Sequence, residues 1–185
     1  RKSYSNGGIG IMSELRTNKI YPRDGLISGA NGGIVQVVHA ATDTHFTSTS
    51  VTPVTIVSAS ITPTSASNKI LIQYTAAASF DGGGSHANIC ILKNGVKIAV
   101  SNNSNIDSGE QYRANKTLYD NSGASDGNTM NSLSGSFLDS PATTSAVTYG
   151  VGGYSNNTNT SAYNRRISDS RYGQVTEILI MEVSG

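Results

Sequence analysis

ICILKNGVKIAV, residues 89–100, consists of two apolar runs joined by Asn94-Gly95. A two-residue type I′ turn needs positive φ at both central positions, which Asn and Gly adopt at low cost, so the stretch predicts a tight β-hairpin. Upstream, KILIQYTAAASF (69–80) places Ile70, Ile72, Tyr74, Ala76 and Phe80 on one face and Leu71, Gln73, Thr75 and Ser79 on the other. That period of two belongs to a strand with one face in a core. Comparable runs occur at IVQVVH (34–39), DTHFTST (43–49), VTIVSASI (54–61), YRANKTLY (112–119) and MNSLSGSFL (130–138). SAVTYGV (145–151), SAYNRRI (161–167) and VTEILIMEV (175–183) complete the series. Short strands broken by turn signals at roughly ten-residue intervals predict an all-β fold, an antiparallel β-sandwich of jelly-roll type over residues 34–185.

The composition agrees. Charged residues make up 14 % of the 185-residue chain, against about 25 % in ordinary soluble domains. Ser, Thr and Asn supply about a third of the residues, and Gly occurs 20 times. Such usage suits strands and turns better than helices. The net charge of +1 gives no electrostatic footprint for nucleic acid. No apolar run is long enough to cross a bilayer as a helix, so membrane insertion is not expected. The first residues are polar and do not form a secretory signal. The lone Cys90 sits in an apolar strand and is read as a small buried hydrophobe.

Residues 1–33 differ from the rest. They carry the turn Pro22-Arg23-Asp24-Gly25, end in a Ser-Gly-Ala-Asn-Gly-Gly linker and hold too little apolar surface for a core. They read as an N-terminal arm ordered by contact with a sister chain or a larger particle. Met12-Ser13-Glu14-Leu15 reads as a start, which would make residues 1–11 a tag or an upstream extension. ILIM (178–181) is apolar on both faces, as in a strand central to two sheets or set against another subunit. Arm and two-faced strand together imply a homotrimer.

Candidate chemistry is sparse. Asp43-Thr44-His45, with His39 four residues before Asp43, could contribute to a metal site on a symmetry axis, but three ligands from one chain are not in view. A polar strand edge is the simpler reading, and no metal or cofactor is expected. Glu177 and Glu182 fall on opposite strand faces, so they do not form the paired carboxylates of a glycosidase. No Gly-x-Ser-x-Gly elbow or phosphate loop occurs. Gly82-Gly83-Gly84 and Gly152-Gly153 read as loop tips, and the oxygen-rich loop at residues 120–128 lacks calcium-loop spacing. The chain therefore reads as non-enzymatic. Tyr154, Tyr163 and Tyr172, with Arg165 and Arg166, lie in or beside polar loops and are the expected partner or receptor contacts. Tyr and Arg give large contact area while tolerating water.

SFLDSPATTSAVTYGV (136–151) could be the edge of a catalytic site or a connector. Asp139-Ser140-Pro141 is turn chemistry: Asp opens turns, and Pro fixes φ and removes a ladder donor. The connector reading is preferred.

Several blocks together carry a resemblance: MSELRTNKIYPRDGLISGANGGIVQVV, THFTSTS, SASITPTSASNKILIQ, LDSPATTSAVTY and ILIMEVSG. In this order they resemble a family of virion structural proteins of tailed bacteriophages from marine and freshwater bacteria, notably cyanophages. Segments 101–130 and 150–172 depart from that pattern. The resemblance implies a virion-surface location, attachment to other virion proteins through the arm, and a tail-fibre role in host attachment, touching a host-surface glycan or protein. The alternative it leaves is a capsid decoration protein that stabilises the phage head.

Overall fold

The computed structural model describes residues 33–80, 86–101, 113–119, 130–156, 159–167 and 172–185. Among them are eleven strands and no helix. They are β1 (Ile34–Thr42), β2 (Phe46–Ser48), β3 (Val54–Ile61), β4 (Lys69–Phe80), β5 (His86–Lys93) and β6 (Val96–Ile98). The others are β7 (Lys116–Tyr119), β8 (Asn131–Asp139), β9 (Val147–Ser155), β10 (Ser161–Tyr163) and β11 (Thr176–Val183). The arm expected over residues 1–33 lies outside the described residues except for Gly33. Gly33 already belongs to the fold: its N–H donates to Ser184 Oγ at 3.1 Å, and its carbonyl accepts the Ser184 N–H at 2.9 Å.

All pairings are antiparallel. One sheet runs β1-β11-β4-β10-β2 with β8 on β4; the other runs β3-β9-β5-β6 with β7 on β5. β8 pairs with residues 70–78 of β4, so β11 (on 69–75) and β10 (on 78–80) must share its opposite edge. By the same reasoning β6 and β7 share one edge of β5. Each sheet thus has four strand positions, with the first and last strands of the domain side by side. The connections cross between the sheets as they do in a jelly roll. The 89–100 hairpin forms as its residues dictate, with Asn94 at φ 49° and Gly95 at φ 82°. SFLDSPATTSAVTYGV is a connector, leaving one sheet at the end of β8 and entering the other at β9.

Inward side chains of both sheets form one core. Ile70, Ile72, Ile89, Ile91, Val151, Ile178 and Ile180 are each fully buried, and burying each such side chain contributes about 1.5–3 kcal/mol. A smaller cluster lies on the outer face of the β3-β9-β5 sheet, where Cys90, Leu92 and Tyr154 pack under Val100 and Ala114. The chain itself covers that part of the face, while Ser58, Ser60 and Thr148 on its β3 side are exposed.

Two polar hubs tie segments together. Glu182, fully buried, accepts from Gln36 Nε2 at 2.6 Å and Asn68 Nδ2 at 2.6 Å. It also accepts from the Thr64 N–H at 2.7 Å and Oγ1 at 2.8 Å. These bonds fasten β1, β11 and the 62–68 connector at one end of the sandwich. At the same end, on the far side of Ile70 in the Glu182 row, Tyr149 donates to Asp139 Oδ2 at 2.6 Å, and Lys93 Nζ lies 2.7 Å from the same oxygen. Asp139 is therefore more than turn chemistry: its carboxylate joins β8 to β9 and β5.

Gly152-Gly153 is not a loop tip but lies inside β9. Gly153 is obligatory there, because a Cβ would fall 2.6 Å from Tyr163 Cζ and 2.9 Å from Ile56 Cδ1. Gly153→Ala should cost about 2 kcal/mol or more through overpacking. At Gly173 a Cβ meets nothing nearer than 3.4 Å, so Gly173→Ala should stay within about 0.5 kcal/mol of the parent. Chemical denaturation of the two variants side by side checks both values.

Candidate functional site

The structure divides the five expected contact residues into two groups. Tyr154 and Tyr163 are corrected: both rings are fully buried and sit in strands. Tyr163, on β10, stacks on Phe46 with centroids 5.7 Å apart. Its hydroxyl crosses to the other sheet, 3.0 Å from the Tyr154 carbonyl and 3.1 Å from that of Asn88. Burial raises the Tyr163 pKa, so the phenol stays protonated and donates. Tyr154 donates to the Arg113 carbonyl at 2.5 Å, and the Lys97 ammonium lies 5.0 Å from its ring centroid. Neither tyrosine is available to a partner. The missed signal for Tyr163 was Gly153, which leaves the volume that its ring fills.

Tyr172 is exposed, and Arg165 and Arg166 are half-buried beside it. β10 ends at Tyr163, and the next residue, Asn164, has a φ of 67° that turns the chain outward. Beyond it Arg165 bridges to Gly173, and the Gln174 N–H donates to the Asn164 carbonyl at 2.8 Å. This brings 165–167 alongside 172–174. Arg166 lies with its guanidinium 4.6 Å from the Tyr172 centroid, and Tyr172 is 56 % exposed. A cation over a ring fixes both side chains at modest energy, about 0.5–1 kcal/mol when exposed. His45 is close by; burial and then the Arg165 charge lower its pKa, so the local positive charge comes from the arginines.

A second feature is a groove of about 680 Å³ on the outer face of the β1-β11-β4-β8 sheet. Register places His39, Leu179, Gln73 and Ser136 in one row across the four strands. Glu177, Thr75 and Ser134 form the next row. His39 Nε2 lies 3.3 Å from Glu177 Oε2, and both side chains are half-exposed. At the β8 side Tyr74 passes over Gly135 and donates to Asn115 Oδ1 at 2.5 Å. Asn115 donates in turn to the Ala99 carbonyl at 3.1 Å. The groove offers hydroxyls, amides, the Lys116 ammonium and one imidazole–carboxylate pair, a set suited to polar contacts.

No protein-family model matches this chain, and no curated protein is found to be similar to it. Function must be argued from the residues.

The metal alternative places its residues apart. Asp43-Thr44-His45 is irregular, between β1 and β2, and not on one strand face. His39 meets Glu177 on the outer face, while His45 lies by Arg165. Among the described residues no group of three His, Cys, Asp or Glu side chains could hold a metal ion. Glu177 and Glu182 do face opposite sides of β11, one exposed and one buried. The oxygen-rich loop at 120–128, Gly82-Gly83-Gly84, Tyr112 and Arg171 lie outside the described residues.

Proposed function

We propose that this chain is a non-enzymatic virion structural protein of a tailed phage, a tail-fibre-type surface domain that touches the host envelope and works as a homotrimer. The observation that carries the proposal is where the phage-like blocks fall. SASITPTSASNKILIQ covers β3 into β4, LDSPATTSAVTY covers β8 into β9, and ILIMEVSG is β11 and the chain end. The blocks are therefore the framework of the sandwich. The segment outside the blocks, 150–172, holds the rest of β9 and then leads through β10 to the Arg166–Tyr172 surface. A strand framework presenting arginine- and tyrosine-bearing loops is an arrangement suited to a binding module. Residues 1–32 would anchor the domain to other virion proteins.

The purified chain should be retained by at least one strain in a panel of cyanobacterial cells. Tyr172→Ser combined with Arg166→Ser should weaken that retention at least tenfold while leaving the fold intact, because contact energy concentrates in a few such residues. No retention by any strain, together with binding to phage heads and a rise in their heat resistance, would replace the fibre reading with capsid decoration.

A further inference from the structure

Residues 164–176 carry Arg165, Arg166 and Arg171 against a single acid, Asp169, a net +2 in a chain whose whole net charge is +1. Asp169 and Arg171 lie outside the described residues. Arg165 is the arginine whose surroundings point to a ligand. Among the described residues no carboxylate pairs with it: Asp139 is held by Lys93, Glu177 by His39 and Glu182 by its hub, while Asp43 is exposed. The Arg165 side chain is nevertheless half-buried, and its Nε is shielded from solvent without a hydrogen-bond partner. His45, on which the Arg165 charge acts, has its Nε2 in the same condition. Directly across the bridge from Arg165 stands Gly173, so no side chain fills that side. A Cβ there would meet nothing nearer than the Asn164 carbonyl at 3.4 Å. Shielded nitrogens without acceptors are uncommon in folded proteins, and a bound anion is one of the few things that satisfies them.

We propose that Arg165, flanked by His45 and open on its Gly173 side, is an anion subsite where the acid group of a charged saccharide docks. The inference rests on the host-contact reading of this surface and names the chemical class of its ligand. A guanidinium presents five N–H donors in a planar fork that matches a carboxylate or a sulfate. Burial and the Arg165 charge keep His45 neutral, so it adds a hydrogen-bonding nitrogen without a second charge to desolvate. The sugar ring follows from the neighbouring residues. One position on, Arg166 lies over Tyr172, whose ring is 56 % exposed. An open tyrosine face accepts the apolar C–H face of a pyranose while its hydroxyl stays wet. The place in the fold agrees. Asn164 ties this surface to Thr44 and Thr176, at the end of β1 where Thr42 faces Thr176. Residues 1–32 join at the opposite end, where Ile34 faces Val183. The nine residues of β1 set the two ends about 30 Å apart, so the subsite points away from the arm's junction.

Titration calorimetry of the full chain with trigalacturonate should show binding. The trimethyl ester of the same sugar has its shape without its charge and should bind about tenfold more weakly, or worse. A sulfated galactose trisaccharide is the second arm, and its binding in place of trigalacturonate would assign the subsite to sulfate rather than carboxylate. Arg165→Gln should weaken binding of the acidic sugar by about tenfold or more. Gly173→Glu gives Arg165 a carboxylate of its own from directly across the bridge and should weaken binding as much. Both variants should keep the parent's circular dichroism spectrum. Equal binding of acid and ester, binding that neither substitution reduces, or no binding of either acidic sugar overturns the inference. Cells that retain a chain unable to bind either acidic sugar would remove the subsite and leave host contact standing. Acidic-sugar binding by a chain that no cell strain retains would keep the subsite and overturn host contact.

Discussion

Replacing Glu182 by Ala is expected to cost about 3 kcal/mol or more and to lower Tm by roughly 6–12 °C in a chain of this size. The carboxylate satisfies four donors from three residues, Gln36, Thr64 and Asn68. Gln36 Nε2 has a second acceptor in the Thr62 carbonyl at 2.8 Å, but the Thr64 N–H would be left without one. An orphaned buried donor costs about 1–3 kcal/mol. Glu182→Gln should fare little better, since its amide would turn a donor toward groups that are donors. The same hub predicts how stability responds to acid. Burial alone would raise the Glu182 pKa; the hydrogen bonds from Asn68, Gln36 and Thr64 outweigh it and hold the carboxyl at about 2, against 4.5 ordinarily. A depressed folded-state pKa stabilises the fold fully above the ordinary value, and that stability is lost as pH falls from about 4.5 toward 2. Urea denaturation from pH 6 to pH 2 should show this decline in the parent chain and a flatter response in Glu182→Ala.

Asn164→Ala should cost about 3 kcal/mol. Two effects add. The side chain donates from Nδ2 to the Thr44 carbonyl at 2.9 Å and accepts from Thr176 Oγ1 at 2.5 Å, two buried bonds worth about 1 kcal/mol each. The backbone, at φ 67°, is left-handed, a region that Asn tolerates and Ala occupies at a cost of about 1 kcal/mol. Asn164→Gly recovers the second part only and should be about 1 kcal/mol more stable than Asn164→Ala. The consequence for function is local. Asn164 ties 44 to 176 and stands at the base of the Arg166–Tyr172 surface, so hydrogen exchange in 165–167 and 172–175 should quicken before the β4 and β11 amides do. Uniform acceleration across the sandwich would contradict that role.

The strands were legible because they obey local rules. β3 and β4 fall within the bounds their alternation predicts, and the Asn94-Gly95 hairpin follows from turn stereochemistry. Strand adjacency was not legible: that β11 lies between β1 and β4 depends on long-range pairing, which leaves no mark on local spacing. Tyr154 and Tyr163 were misplaced for a related reason. Polar neighbours suggested loops, while Gly153, which admits the Tyr163 ring, reads as a turn residue until the opposite sheet is in place. Glu182 likewise reads as one more strand carboxylate until Gln36, Thr64 and Asn68 converge on it. Tyr172 and Arg166 stay outside the core because they lie beyond the last β10 residue, where little core is left to enter.

The proposed function is a surface module that displays its loops on a phage particle. The most direct measurement is electron microscopy of phage particles carrying a gold-labelled tag after Gly185, whose position is exposed. Label clustered on the tail, at the fibre tips, is the predicted result. Label spread over the head, or absent from intact particles, would contradict it.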